Sequence, residues 1–187
     1  MGRIMVIGGG ARSGKSRFAL HKATHLGSKP LFIATALAFD DEMRARIARH
    51  KAERDVRFDV REEPRNLVHA LQAHDSHDVV VVDCLTLWLS NLLVEGQSET
   101  QIEVAVDQLV EALRESDPHV ILVTNEVGLG IVPEHPLGRL FRDVAGRTHQ
   151  RLAVMADEVY FGAMGCMLHL KPGPVTAVDL GQQEELT

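Results

Sequence analysis

Four short runs of the chain are apolar at nearly every position: Arg3–Ile7, Leu31–Ala34, Val79–Val82 and Val120–Thr124. Strands buried on both faces read this way, because neither face alternates with solvent. Val56–Val60 repeats the pattern more weakly, and Val159–Phe161 reads as a short late strand. Between these runs the apolar residues recur at helical spacing, predicting helices over Lys15–His25, Asp41–Arg54, Arg65–Ala73, Thr100–Arg114 and Leu137–Ala156. In Thr100–Arg114 the set Ile102, Val106, Leu109, Val110 and Leu113 falls on one helical face. Leu137, Leu140, Phe141, Val144, Leu152 and Ala156 do the same in the last helix. Strands alternating with helices imply right-handed crossovers, hence an α/β fold with a mostly parallel sheet and helices on both faces. Ligands of such sheets bind beyond the carboxyl ends of the strands, and the first of those ends is Ile7. From Lys171 onward periodicity stops. Residues 1–171 are therefore expected to form one domain and residues 172–187 a surface extension.

Composition narrows the class. A chain of 187 residues is the size of one core, and 45% hydrophobic with 25% charged residues is ordinary for a folded domain. Twenty Lys+Arg against 26 Asp+Glu leave a net charge of −6, so no overall field draws in nucleic acid. Phosphate binding must come from a local site. The two cysteines, Cys84 and Cys166, lie far apart and in no CxxC arrangement, which argues against a disulfide framework or thiolate zinc site and fits a reducing cytoplasm. The longest apolar stretch, Val79–Leu93, is interrupted by Asp83, Ser90 and Asn91, so no membrane span is expected.

Just after Ile7 the segment Gly9-Gly10-Ala11-Arg12-Ser13-Gly14-Lys15-Ser16 fits GxxxxGK[ST] at every position. Glycines let backbone N–H groups wrap an anion, and the following helix offers its N-terminus to negative charge. Lys15 would reach the β/γ-phosphates and the Ser16 hydroxyl would ligate Mg2+. A glycine-rich turn that binds nothing is the plain alternative; the strand before it and helix after it favour the phosphate loop. Val79–Val82 followed by Asp83 looks like the companion strand whose terminal carboxylate holds Mg2+.

One histidine shares an inward stripe. Met43, Ile47, His50 and Arg54 are spaced to lie on one face of the Asp41–Arg54 helix, with Arg46 and Lys51 beside His50. An imidazole of ordinary pKa near 6.5 is largely unprotonated at neutral pH and needs no base to act as a nucleophile. Spacing alone, however, favours a helix-end histidine satisfied by a backbone carbonyl. His21 and His25 could chelate a metal at i, i+4, but no third ligand is near in sequence and a solvated face is the simpler reading.

Four segments together carry a more specific likeness: GGARSGKS at Gly9–Ser16, IATA with DDEMRARIARHKAER over Ile33–Arg54, VDCLTLWLSNLL at Val82–Leu93, and VTNEVGLGIVPE with LGRLFRDVAGR over Val123–Arg147. ADEVYF at Ala156–Phe161 supports them. The chain resembles the bifunctional adenosylcobinamide kinase/adenosylcobinamide-phosphate guanylyltransferases of cobalamin biosynthesis. The resemblance implies a RecA-like P-loop domain. It implies transfer of the γ-phosphoryl of ATP or GTP to the aminopropanol hydroxyl of adenosylcobinamide. It further implies attachment of GMP from GTP to His50 and its passage to adenosylcobinamide phosphate. By the same resemblance the nucleotide contacts fall on Gly9, Gly10, Ala11, Arg12, Ser13, Gly14, Lys15 and Ser16, on Ala34, Thr35 and Ala36, on Lys51, Ala52, Glu53 and Arg54, on Glu62 and on Asp83. Ser16 and Asp83 are the expected Mg2+ contacts, through the nucleotide phosphates, and the assembly is expected to be a homo-oligomer, a trimer. Asn125, Glu126, Arg139, Arg142 and Asp143 are candidates for phosphate or corrinoid contact, or for a structural loop and a solvated helix face.

The chain departs from the family pattern at Phe58, usually Trp, at Thr148-His149-Gln150, usually ending in Asn-Gln, and across Met164–Leu170. Two rival readings remain distinguishable. A kinase that had lost the guanylyl step would not need the His50 segment. A GTP-dependent regulatory protein would read guanine with NKxD, whereas Asn125 here is followed by Glu126-Val127-Gly128.

Overall fold

The computed structural model describes residues 2–37, 41, 44 and 56–179. Eight strands form one sheet: β1 (Ile4–Gly9), β2 (Pro30–Ala34), β3 (Asp59–Glu62), β4 (Val79–Asp83), β5 (His119–Val123), β6 (Glu158–Ala163), β7 (Cys166–Lys171) and β8 (Thr176–Asp179). Their order is β3-β2-β4-β5-β1-β6-β7-β8. The first six in that order pair in parallel, and β7 and β8 close one edge antiparallel. The described helices are α1 (Lys15–Leu26), α2 (Leu67–Gln72), α3 (Leu85–Val94), α4 (Glu99–Arg114) and α5 (Pro136–Met155).

Side-chain parity divides the core. Ile4, Val6, Leu31, Ile33, Val80, Val82, Val120 and Leu122 face one apolar cluster, filled in by α2 to α5. Met5, Ile7, Phe32, Val79, Val81, Ile121 and Val123 face the other, covered by Phe18, Ala19 and Ala23 of α1 with Phe58, Tyr160 and Met167. Because alternate residues of one strand feed opposite layers, the continuous apolar runs are the signature of a sheet covered on both sides.

The expected mostly parallel sheet with helices on both faces is what the chain forms. Some details differ. The strand expected at Val56–Val60 lies at Asp59–Glu62 instead, and Val56 is fully exposed. No helix was expected over Leu85–Val94. Leu85, Trp88, Leu89, Leu92 and Leu93 are all buried there, together with Thr86 and Asn91, so the segment lacks the polar face that periodicity looks for. The start of α4 carries a capping box, with Ser98 Oγ accepting from Gln101 N (3.3 Å) and Gln101 Oε1 from Ser98 N (2.8 Å). The stretch read as a surface extension begins with β8, which pairs with β7 over Thr176–Asp179. Of the helix expected at Asp41–Arg54, only Asp41 and Arg44 are among the described residues; both are helical, and the Arg44 guanidinium bonds the Asp41 carboxylate.

Strand register aligns the carboxyl ends. Glu62 of β3, Ala34 of β2, Asp83 of β4, Val123 of β5, Ile7 of β1 and Tyr160 of β6 form one lateral row at that edge.

Candidate active site

β1 runs into a loop whose backbone only small residues allow. Gly9 has φ 148° and Gly14 φ 89°. A Cβ on Gly9 would stand 2.5 Å from the carbonyl oxygen of Gly162 on the neighbouring strand, so that position admits only hydrogen. At Gly10 a Cβ would meet nothing within 4 Å, so that position faces open space. Arg12, at φ 56°, completes the turn. The loop then feeds α1, with Phe18 N donating to Gly14 O at 3.0 Å. A glycine loop of unusual backbone thus leads directly into a helix N-terminus, the arrangement that holds phosphate.

Lys15 spans this loop. It is only 7% exposed, and its Nζ donates to Gly10 O at 2.9 Å. Ser13, 6% exposed, turns its Oγ toward Gly9 and Gly162 with no hydrogen-bond partner, an orphaned hydroxyl inside the cradle. Ser16 follows Lys15, half-buried in the first turn of α1. Asp83 ends β4, two strands from β1 in the sheet. Burial raises the pKa of the neighbouring Cys84 thiol, the Asp83 carboxylate raises it further, and Lys15 lowers it. Asp83 and Lys15 are therefore both within electrostatic reach of one point, and Cys84 itself is a protonated thiol unsuited to nucleophilic work.

Ala34 and Ala36 are half-buried at the end of β2, whereas Thr35 has no exposed surface. The Thr35 hydroxyl donates to Cys84 O (2.7 Å) and accepts from Cys84 N (2.8 Å). Asn91 of α3 donates to the Thr35 carbonyl (2.9 Å) and to Pro64 O (3.0 Å). The polar contacts of Thr35 at this edge therefore tie β2 to the turn after Asp83. Glu62 lies exposed on the edge strand β3, four strands from β1. At roughly 4.8 Å per strand that is about 19 Å along the edge, so a nucleotide with phosphates in the loop would run past Asp83 and Ala34 to reach it.

Past β5, Glu126 N donates to Gly9 O at 2.9 Å and Thr124 N to Ile7 O at 3.0 Å, which locks this segment against the phosphate loop. Asn125 Nδ2 donates to Thr86 Oγ1 at 3.2 Å. Arg139 folds back onto the carbonyls of Pro133 and Glu134, and Arg142 pairs with Asp143, so these three hold their own turn of α5. His149 approaches from α5, its Nε2 2.7 Å from Thr124 Oγ1 and its Nδ1 3.8 Å from Glu126 Oε2. Sequence reasoning marked His149 only as a departure from a pattern. The available signal was its place four residues after the buried Ala145, on the inner stripe of α5. His50, Lys51, Ala52, Glu53 and Arg54 lie outside the described residues.

The family model for cobinamide kinase/cobinamide phosphate guanyltransferase matches residues 4–170. The chain belongs to this family. Among relatives of the cobinamide kinase/guanylyltransferase family, the "Bifunctional adenosylcobalamin biosynthesis protein CobP" of Pseudomonas aeruginosa is 42% identical over 91% of this chain and 98% of its own length. The corresponding CobU of Salmonella typhimurium is 40% identical over 90% of this chain and 99% of its own. Among solved structures, the flagellar accessory protein FlaH from Methanocaldococcus jannaschii superposes with a TM-score of 0.53 at 12% identity, covering 95% of this chain and 84% of that one. The RadB recombinase does so with a TM-score of 0.51 at 15% identity, over 94% and 86%. Those two likenesses concern the fold, which is that of the RecA-like P-loop proteins. This family member is thus a nucleotide-using enzyme of cobalamin biosynthesis. Among the described residues, no helix is long and apolar enough to cross a membrane.

Proposed function

We propose that the enzyme works in two steps at one nucleotide site, with His50 as the covalent carrier of the second. In the first, the aminopropanol hydroxyl of adenosylcobinamide attacks the γ-phosphorus of ATP or GTP and the nucleoside diphosphate leaves. In the second, an imidazole nitrogen of His50 attacks the α-phosphorus of GTP, forming an N–P bond as the bond to pyrophosphate breaks. A phosphate oxygen of adenosylcobinamide phosphate then takes the GMP from His50, giving adenosyl-GDP-cobinamide. The observation that carries the nucleotide part is the cradle itself: Gly9 and Gly14 at positive φ, open space at Gly10 and a buried Lys15 across the loop. Family membership carries the corrinoid part.

Each cradle residue contributes to both steps. The amides of Gly9 to Ser16, with Gly10, Ala11, Arg12 and Ser13 at the turn, hold the phosphates, and Lys15 offsets charge developing on the leaving group. The Ser16 hydroxyl and Asp83 carboxylate are hard oxygen donors suited to Mg2+, at the edge where Asp83 and Lys15 already act on one thiol. They would hold Mg2+ against the phosphates, whose charge the ion neutralises when bound. Lys51 and Arg54, in the run Lys51–Arg54 that follows His50, supply further cationic contact. Glu62 accepts from the N1–H and exocyclic amine of guanine, a donor pair that adenine lacks. The protein is read as cytoplasmic and as a homotrimer, which its mass in solution would test.

Intact-protein mass spectrometry after GTP and Mg2+ decides the covalent step. The expected result is a gain of one GMP on the wild type and none on His50→Ala. Absence of that gain on the wild type, or its persistence in the variant, sinks the His50 reading.

A further inference from the structure

Phosphoryl transfer to a hydroxyl releases a proton, and none of the groups with an assigned role takes it. Lys15 is cationic, Ser16 and Asp83 are assigned to Mg2+, His50 is assigned to the guanylyl group, and Glu62 stands at the far edge of the sheet. A carboxylate beside the loop remains. Glu126 is pinned to the first glycine of the cradle, its backbone N 2.9 Å from Gly9 O. Its side chain is 27% exposed; Oε1 accepts from Gly128 N, and Oε2 is the oxygen on the His149 side.

Behind it stands a built support. Thr124, 2% exposed, lies 2.7 Å from His149 Nε2, and the other ring nitrogen, Nδ1, faces the Glu126 carboxylate at 3.8 Å. In a neutral imidazole only one nitrogen carries hydrogen. With the Thr124 hydroxyl donating to Nε2, that hydrogen sits on Nδ1, the nitrogen 3.8 Å from Glu126 Oε2. Burial holds His149 below the ordinary imidazole value, outweighing the pull of Glu126 in the other direction. The neutral tautomer is thus the working form at neutral pH. The 3.8 Å gap is longer than a direct hydrogen bond, and one bridging water would span it while Oε1 keeps the Gly128 amide.

We propose that Glu126 is the general base of the phosphoryl-transfer step, with His149 and Thr124 as positioning residues that aim and hold its carboxylate. This role rests on the kinase reading of the enzyme. As the substrate hydroxyl oxygen forms its bond to the γ-phosphorus, its proton passes to a Glu126 oxygen. The bond from the γ-phosphorus to the β,γ-bridging oxygen breaks, and its electron pair leaves with the nucleoside diphosphate. Glu126 then returns the proton to solvent. The guanylyl step begins with an imidazole that has no proton to lose from its attacking nitrogen, so it makes no such demand on Glu126.

The test uses the full-length enzyme with adenosylcobinamide, ATP and Mg2+, and measures kcat and KM for ATP separately. Glu126→Gln keeps the backbone contact to Gly9 and removes the base. Its kcat is expected to fall about 100- to 1,000-fold, as for loss of a general base, with KM for ATP within about threefold. His149→Ala is expected to lower kcat by about tenfold, and His149→Asn, which keeps an N–H donor, to recover most of it. A Glu126→Gln enzyme with kcat within about threefold of wild type overturns the proposal, as does a loss confined to KM. Should Glu126→Gln not fold, the histidine pair decides: equal kcat in the Ala and Asn variants overturns it, and rescue by Asn supports it. A wild-type enzyme that transfers no phosphoryl group would sink the kinase reading itself, a result separable from an unimpaired Glu126→Gln.

Discussion

Replacing Thr35 by valine tests whether this residue serves the fold or the nucleotide. Valine matches the shape of threonine and removes only the hydroxyl. That hydroxyl is fully buried and makes two contacts with one residue, donating to Cys84 O at 2.7 Å and accepting from Cys84 N at 2.8 Å. The two losses are unequal. Cys84 O keeps the amides of Leu87 and Trp88, both at 3.2 Å, as the first turn of α3 forms on it. Cys84 N–H loses the Thr35 oxygen in a buried setting. An orphaned buried donor costs about 1–3 kcal/mol and the lost hydroxyl bond about 1 more, so the change should cost about 2–4 kcal/mol. For a chain of this size each kcal/mol moves Tm by about 2–4 °C, which predicts a fall of about 4–16 °C. Thr35→Ser keeps the hydroxyl, gives up one methyl, and should lose only about 1 kcal/mol.

The assay is urea unfolding with a thermal melt, run beside KM for ATP on all three proteins. If the hydroxyl instead touched nucleotide, valine would raise KM and leave stability intact. A Thr35→Val protein within about 1 kcal/mol of wild type, or a serine variant as damaged as the valine one, would refute the clamp.

Two further outcomes are expected. Glu62→Gln should lower the preference for GTP over ATP in the transfer step, measured as the ratio of kcat/KM for the two nucleotides, and an unchanged ratio removes the guanine contact. Asp78 accepts from Ser28 N (2.8 Å), Ser28 Oγ (3.1 Å) and Lys29 N (2.9 Å). Burial pushes its carboxyl up, but these donors outweigh burial and leave it below the ordinary carboxylate value. A lowered acid contributes stability that is present above its unfolded pKa and lost as pH falls through its folded one. Asp78→Ala should therefore cost about 1–2 kcal/mol near neutrality, allowing for its exposure. The difference from wild type should shrink as pH drops below the ordinary carboxylate range, and a difference that is constant with pH refutes the assignment.

The fold was most legible where burial is symmetric and the phosphate loop interrupts it. β1, β2, β4 and β5 are read from uninterrupted apolar runs, and the glycines after Ile7 mark the loop because Gly9 and Gly14 occupy backbone that a side chain resists. Legibility failed where periodicity has nothing to contrast. α3 is buried on almost every side, so its leucines continue the valines of β4 without a polar stripe to announce a helix. β7 and β8 form an antiparallel edge after two short turns, and their mixed residues alternate too weakly to stand out beside the four core strands. The site divides in the same way. Lys15 and Asp83 sit in motifs, whereas His149 meets Thr124 and Glu126 only because α5 packs beside the end of β5. Contacts of that kind depend on tertiary approach, which no local spacing encodes.

The run Val79–Val82 poses a register problem that the polar residues at its ends resolve. Four identical side chains feed both core layers alike, so sliding β4 by one residue would still bury valine on each face. Hydrophobic pattern therefore specifies this strand's burial and not its height. The height is set at one end by Asp78, whose carboxylate captures the turn into β2, while its N–H reaches Lys29 O at 3.3 Å and its carbonyl takes His119 N at 3.0 Å. At the other end Thr35 grips Cys84 by both backbone groups. Between these two fixings Asp83 is held level with Ala34 and Val123, and hence in row with Ile7 and the mouth of the phosphate loop. These two fixings thus determine where the Asp83 carboxylate stands. It follows that Asp78→Ala and Thr35→Val should be coupled: each loosens one end of the same strand, and the double variant should lose phosphoryl-transfer activity beyond the product of the single losses.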